Sequence, residues 1–164
     1  MILADTNILS TFAKVNQLPL LIQCFASDRV GTVPAVYEEV QRGVQKGYTR
    51  LQAVIDLVQR RQIELVIPTE QELFKKGTLA ASFGEGEREI MAVAMTRDYA
   101  ILTDETLVKN WCRRTGTTCW DLPGVLRALW RTNLLPKDEV RKLLEQIEAS
   151  DRIVFKNKEQ ILQD

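Results

Sequence analysis

Short apolar runs recur along the 164-residue chain, and between them lie longer stretches whose apolar residues stand three and four apart. Runs of the first kind suit buried strands and the second spacing suits amphipathic helices, so their alternation predicts a mostly parallel sheet covered by helices. Strands are expected at residues 2–4, 30–33, 63–67, 99–103 and 117–120. Helices are expected over 8–14, from Pro19 through Leu20, Leu21, Cys24 and Phe25, over 34–44, and through Leu51, Val54, Ile55 and Val58. Pro19 and Pro34 fit a first helical turn, where the missing N–H would have no intrahelical partner. Leu73 and Leu79 give the weakest helical pattern; 87–96, the stretch around Leu107, Val108 and Trp111, and tail segments 122–130 and 136–147 are clearer. The expected fold class is α/β, a three-layer α/β/α sandwich on a five-stranded, mostly parallel sheet.

Chemistry enters where the strands end. Asp5 follows the first apolar run at once, and Asp104 follows the fourth. In an open parallel sheet, ligands bind beyond the carboxyl ends of the strands, so both acids stand at the productive edge. Glu39 lies beside the face that Val36 and Val40 form on the third helix, and Glu87 opens a later one. This layout sends Asp5, Glu39, Glu87 and Asp104 to one end of the sheet. Carboxylates gathered without His or Cys suit the hard cations Mg²⁺ and Mn²⁺. Such ions activate water and stabilise a leaving oxygen in phosphodiester cleavage. Thr6, Asn7 and Thr103 are placed to orient those carboxylates or to contact a phosphate.

Composition narrows the partners and the compartment. Lys plus Arg number 22 and Asp plus Glu number 22, so any RNA contact must rest on a local patch. There is no histidine, and Cys24, Cys112 and Cys119 form no Cys-x-x-Cys pair, which disfavours a zinc site or a disulfide framework. Reduced thiols fit a cytoplasmic protein. No apolar run approaches the roughly 20 residues that span a bilayer, and no leader pattern opens the chain, so no membrane association is expected. Length and composition suit one domain covering residues 1–164.

Four segments, in order, resemble the PIN-domain family of metal-dependent ribonucleases: Ala4-Asp5-Thr6-Asn7; Val33-Pro34-Ala35-Val36-Tyr37-Glu38-Glu39-Val40; Gly86-Glu87-Arg88-Glu89-Ile90-Met91-Ala92-Val93-Ala94; and Leu102-Thr103-Asp104-Glu105. The likeness is strongest over residues 1–121, with 122–164 as a helical tail. It implies strand order 3-2-1-4-5 and an RNA-cleaving pocket with metal-site roles on Asp5, Glu39, Glu87 and Asp104. It also implies a homodimer and the toxin half of a toxin–antitoxin pair, with an antitoxin protein as partner. The third acid is Glu where the family more usually has Asp, and Glu85 and Glu89 compete for its place. Glu87 is chosen because Ile90, Ala92 and Ala94 then follow at the family's spacing.

Plainer readings stand beside these. Asp5 or Asp104 could cap a helix by accepting backbone N–H groups, and each Glu could be solvated surface or first-turn charge. Gly84-x-Gly86 reads as a helix-leading loop, since the full glycine-rich phosphate fingerprint is absent. Trp111, Trp120 and Trp130 read as core or interface aromatics. A phospho-aspartate mechanism at Asp5 would need a second acid two residues on, where Asn7 stands. A non-catalytic PIN-like binding or scaffold protein is the alternative to the nuclease.

Overall fold

The computed structural model describes residues 1–163. In chain order the elements are β1 (Ile2–Ala4), α1 (Thr6–Lys14), α2 (Leu18–Cys24), β2 (Val30–Thr32), α3 (Pro34–Gln45), α4 (Gln52–Gln59), β3 (Glu64–Leu65), α5 (Glu70–Thr78), α6 (Glu85–Arg97), β4 (Ala100–Leu102), α7 (Thr106–Thr115), β5 (Cys119–Trp120), α8 (Leu122–Arg131), α9 (Lys137–Asp151) and α10 (Lys158–Leu162). The strands form one sheet in the order β3-β2-β1-β4-β5, and every pairing is parallel. Helices flank this sheet, giving the α/β/α architecture and the strand order that the resemblance implies.

The register explains why β1 is apolar on both faces. Ile2 pairs with both Val30 and Ala100, and Leu3 with both Gly31 and Ile101, so β1 has a strand on each side and helices above and below. A strand covered in this way reads as a continuous hydrophobic run. The edge strands are shorter than the sequence suggests. Ladder pairing in β3 stops at Leu65; Val66 still donates its N–H to Thr32, but Pro68, two residues on, has no N–H to give.

The helices follow their apolar spacing, with two departures. α5 does form, yet Leu73 is 48% and Phe74 76% exposed, while Glu72 is buried. Its docking rests on the Arg97 guanidinium of α6, which grips Glu72 at 2.7 Å, so the hydrophobic signal of this helix was bound to be weak. In the tail, α9 runs on to Asp151, and α10 is a helix the pattern did not reveal. Ile161 and Leu162 of α10 are buried, and the Trp130 indole N–H donates to the Ile161 carbonyl at 2.8 Å. The tail therefore belongs to the same hydrophobic core as β1 and β4. Trp111 is buried, and the half-buried Trp120 meets Phe25 edge-on at 5.3 Å. No helix among the described residues is long and apolar enough to cross a membrane.

Candidate active site

Asp5 stands directly beyond β1, where extended backbone turns into α1. One carboxylate oxygen accepts the Ile8 N–H at 2.8 Å and so caps α1. The other accepts the Thr103 hydroxyl, which β4 delivers from the neighbouring strand end. Capping does not make the group ordinary. Only 5% of the residue is exposed, and burial lifts its pKa from 3.8 to about 6. The negative charges of Glu105 and Glu87 push the same way, while the Ile8 and Thr103 hydrogen bonds oppose them.

Glu39 and Glu87 reach Asp5 from two helices that Gly86 allows to touch. A Cβ at Gly86 would lie 2.8 Å from a methyl of Val36 and 3.7 Å from a Glu39 carboxylate oxygen, so only glycine permits this approach of α6 to α3. Val36 and Val40 are buried against the core, which turns Glu39 toward the strand ends, where the Thr6 hydroxyl donates to it. Glu87 accepts the Gly84 N–H at 2.9 Å, an N-terminal cap of α6. Asp5, Thr6, Asn7, Glu39 and Glu87 line one cavity of about 190 Å³.

The other two contested acids have different partners. Glu85 is exposed and pairs with Lys76 at 3.1 Å and Arg88 at 2.5 Å. Glu89 is buried, accepts the Ala35 N–H at 3.2 Å in the first turn of α3, and pairs with Lys76 at 3.3 Å. Neither lines the cavity.

Asp104 lines a different cavity from the first three acids. Its carboxylate accepts the Leu122 N–H at 3.3 Å, has Lys109 at 3.8 Å, and lines a neighbouring cavity of about 290 Å³ with Glu105. Asn7 lines both cavities, and its amide donates to Glu105. Glu105 is the acid that sequence reasoning passed over, and its charge helps to raise the Asp5 pKa. Two consecutive acids after a strand carry no periodicity that ranks them. The path of the chain from β4 into α7 decides.

Among the described residues, no three of His, Cys, Asp and Glu are grouped as a metal site in the positions their side chains hold. The donor set nevertheless suits a hard cation. It is all oxygen, and Glu39 and Glu87, which line the cavity, each spend only one carboxylate oxygen on a protein hydrogen bond. The pKa of Asp5 is raised chiefly by burial, with a smaller push from the charges of Glu105 and Glu87. Asp5, Glu39 and Glu87, which line one cavity, would be the residues to hold such a cation.

The all-parallel 3-2-1-4-5 sheet flanked by helices is a PIN-like α/β/α fold. A family model, DUF3368, described as a PIN domain, matches residues 1–163, so the chain belongs to the PIN-domain family. PIN domains are generally nucleases and typically use divalent metals. No curated protein and no solved structure matches the chain.

Proposed function

We propose that this protein is a Mg²⁺- or Mn²⁺-dependent endoribonuclease that hydrolyses RNA phosphodiester bonds. Asp5, Glu39 and Glu87 form its centre, and Asp104 acts from the adjoining cavity. The observation that supports this reading is the buried Asp5 sharing one cavity with Glu39 and Glu87. When bound, the ion would supply positive charge for phosphate oxygens and a lowered pKa for water. The chain's own side chains prepare the place. Thr103 and the Ile8 N–H hold Asp5 in one orientation, Thr6 aims Glu39, and Asn7 ties Glu105 beside the scissile region.

Within this reading the protein is the homodimeric toxin of a toxin–antitoxin pair, restrained by an antitoxin protein in the cytoplasm. The support is family membership together with three free cysteines. Co-purification with a small protein encoded beside it, which suppresses cleavage when added back, tests this part.

The central test measures RNA cleavage and melting temperature on the same EDTA-stripped protein as Mn²⁺ is restored. Cleavage should return with Mn²⁺ or Mg²⁺, fail with Ca²⁺, and rise together with thermal stability. Cleavage that persists in EDTA, with no metal found by elemental analysis, removes the metal mechanism. One observation favours a second reading, a PIN-like binding module: Asp5, Glu87 and Asp104 all satisfy backbone N–H groups, as structural carboxylates do. Mn²⁺ that neither activates nor stabilises would support that alternative.

A further inference from the structure

The chain is electrically neutral overall, yet its positive charge is unevenly placed. A groove of about 470 Å³ is lined by Lys14, Tyr48, Arg50, Ser150, Asp151 and Arg152, three cations against one acid. That acid is already committed, since Asp151 accepts from both Lys14 and Thr11. Arg50 gives one nitrogen to the Lys14 carbonyl and has no ion pair among the described residues; neither does Arg152. Both guanidinium groups are exposed.

Tyr48 stands among them, 63% exposed, on a backbone that is not free to move aside. Its N–H donates to Gly43 at 3.0 Å, and its carbonyl accepts from Leu51 at 3.1 Å, a residue buried in the core. The ring is thus displayed on a fixed stem. The groove also leads to the acids. It shares Lys14 and Asp151 with the 290 Å³ cavity of Asp104 and Glu105, which in turn shares Asn7 with the cavity of Asp5. Asn7 and Lys14 lie on one helix, two turns or roughly 10 Å apart.

Resting on the ribonuclease reading, we infer that this groove is a substrate subsite that holds single-stranded RNA a few nucleotides from the cleaved bond. Arg50 and Arg152 take its phosphates, and Tyr48 stacks on an unpaired base. Exposed cations with an exposed ring are the means by which single strands are held without sequence preference, because every unpaired base offers a π-face. A duplex hides those faces in its own stack. Phosphates would still attract it, but Tyr48 would not contribute.

The test measures binding of fluorescein-labelled oligouridylate by fluorescence anisotropy, using the full chain in EDTA so that the strand survives. Tyr48→Ala should weaken binding about tenfold and Tyr48→Phe should retain it, since the ring and not the hydroxyl does the stacking. Replacing Arg50 and Arg152 together by Ala should shallow the slope of log affinity against log salt by about 1.4, at about 0.7 per lost phosphate contact. Melting temperatures should move little, because all three residues are exposed and the only bond given up among the described residues is that of Arg50 to the Lys14 carbonyl at the surface. Affinity that is the same in all these variants, or a Tyr48→Ala loss as large for duplex RNA as for the single strand, overturns the inference. So does an acidic peptide that displaces the strand from wild type and Tyr48→Ala equally well, which would mark a protein-binding surface. Cleavage with Mn²⁺ is read separately. Cleavage with groove-independent binding sinks only the subsite, whereas groove-dependent binding without cleavage keeps the subsite and sinks the nuclease.

Discussion

Replacing Asp5 by Asn keeps the shape of the side chain and removes its charge, and the structure lets the stability consequence be worked out. One side-chain oxygen still accepts the Ile8 N–H, so the α1 cap survives. The new amide faces the Thr103 hydroxyl, which must now accept where it had donated, at a cost of about 1 kcal/mol. Against this stands the charge. Asp5 titrates at 3.8 when exposed and at about 6 when folded, a difference worth about 3 kcal/mol. Because the folded value is the higher one, its contribution to stability is complete below pH 3.8 and is lost as pH rises through 6. Above pH 7 the ionised carboxylate therefore strains the metal-free fold, and Asn relieves that strain. Metal-free Asp5→Asn should be more stable than wild type at pH 8 by about 2 kcal/mol, or about 4–8 °C in melting temperature, while losing cleavage.

The pH series separates this effect from others. Glu72, held below the usual carboxylate range by its hydrogen bonds to Arg97, loses its contribution as pH falls, the opposite sense, but does so equally in both proteins. The difference between wild type and mutant therefore isolates Asp5. Thermal melts in EDTA at pH 5, 6, 7 and 8 should show the two curves diverging above pH 5. Parallel curves, or a mutant less stable at pH 8, would refute the argument. Mn²⁺ at pH 8 should raise the melting temperature of wild type and leave the mutant unmoved.

Other substitutions test the remaining geometry. Gly86→Ala should lower cleavage at least tenfold and cost about 1–2 kcal/mol, because the added methyl presses α6 away from Val36; urea melts and rates on the same sample check both. Glu87→Gln should cost more activity than Glu85→Gln, whereas Glu89→Gln should cost mainly stability, about 1–3 kcal/mol, through the Lys76 pair and the Ala35 contact at the start of α3. Rates and melts that rank Glu85 first would move the centre. Thr103→Val removes a hydrogen bond that lowers the Asp5 pKa, so the titration of Asp5 in EDTA, followed by NMR of its carboxyl carbon, should move to higher pH; a move to lower pH would count against the Thr103 contact.

Much of this protein was legible in its residues because the information was local. Ile2, Leu3 and Ala4 announce a central strand by being apolar without interruption, and Pro34 with Val36 and Val40 sets the register that turns Glu39 toward the strand ends. Asp5 after one strand and Asp104 after another follow from the same rule of parallel sheets. Where a helix was held by ions, as Arg97 holds α5 through Glu72, the hydrophobic pattern had little to report. α10 escaped notice for a related reason, since five residues are too few to show a helical period.

The composition of the site was decided by contacts that no window of sequence contains. Thr103 and Asp5, and likewise Asn7 and Glu105, bond across 98 residues, and these bonds depend on β1 and β4 lying side by side. Which of Glu85, Glu87 and Glu89 lines the cavity depended on the face that α6 turns to α3, and the missing side chain of Gly86 lets the two helices approach there. That Asp104 lines a different cavity from Asp5, while the charge of Glu105 acts on Asp5, follows from the turn of the chain between β4 and α7. Periodicity tells which face of an element is buried, because burial repeats with the geometry of that element. It carries no measure of the distance between two elements, and the chemistry of this site lies in those distances.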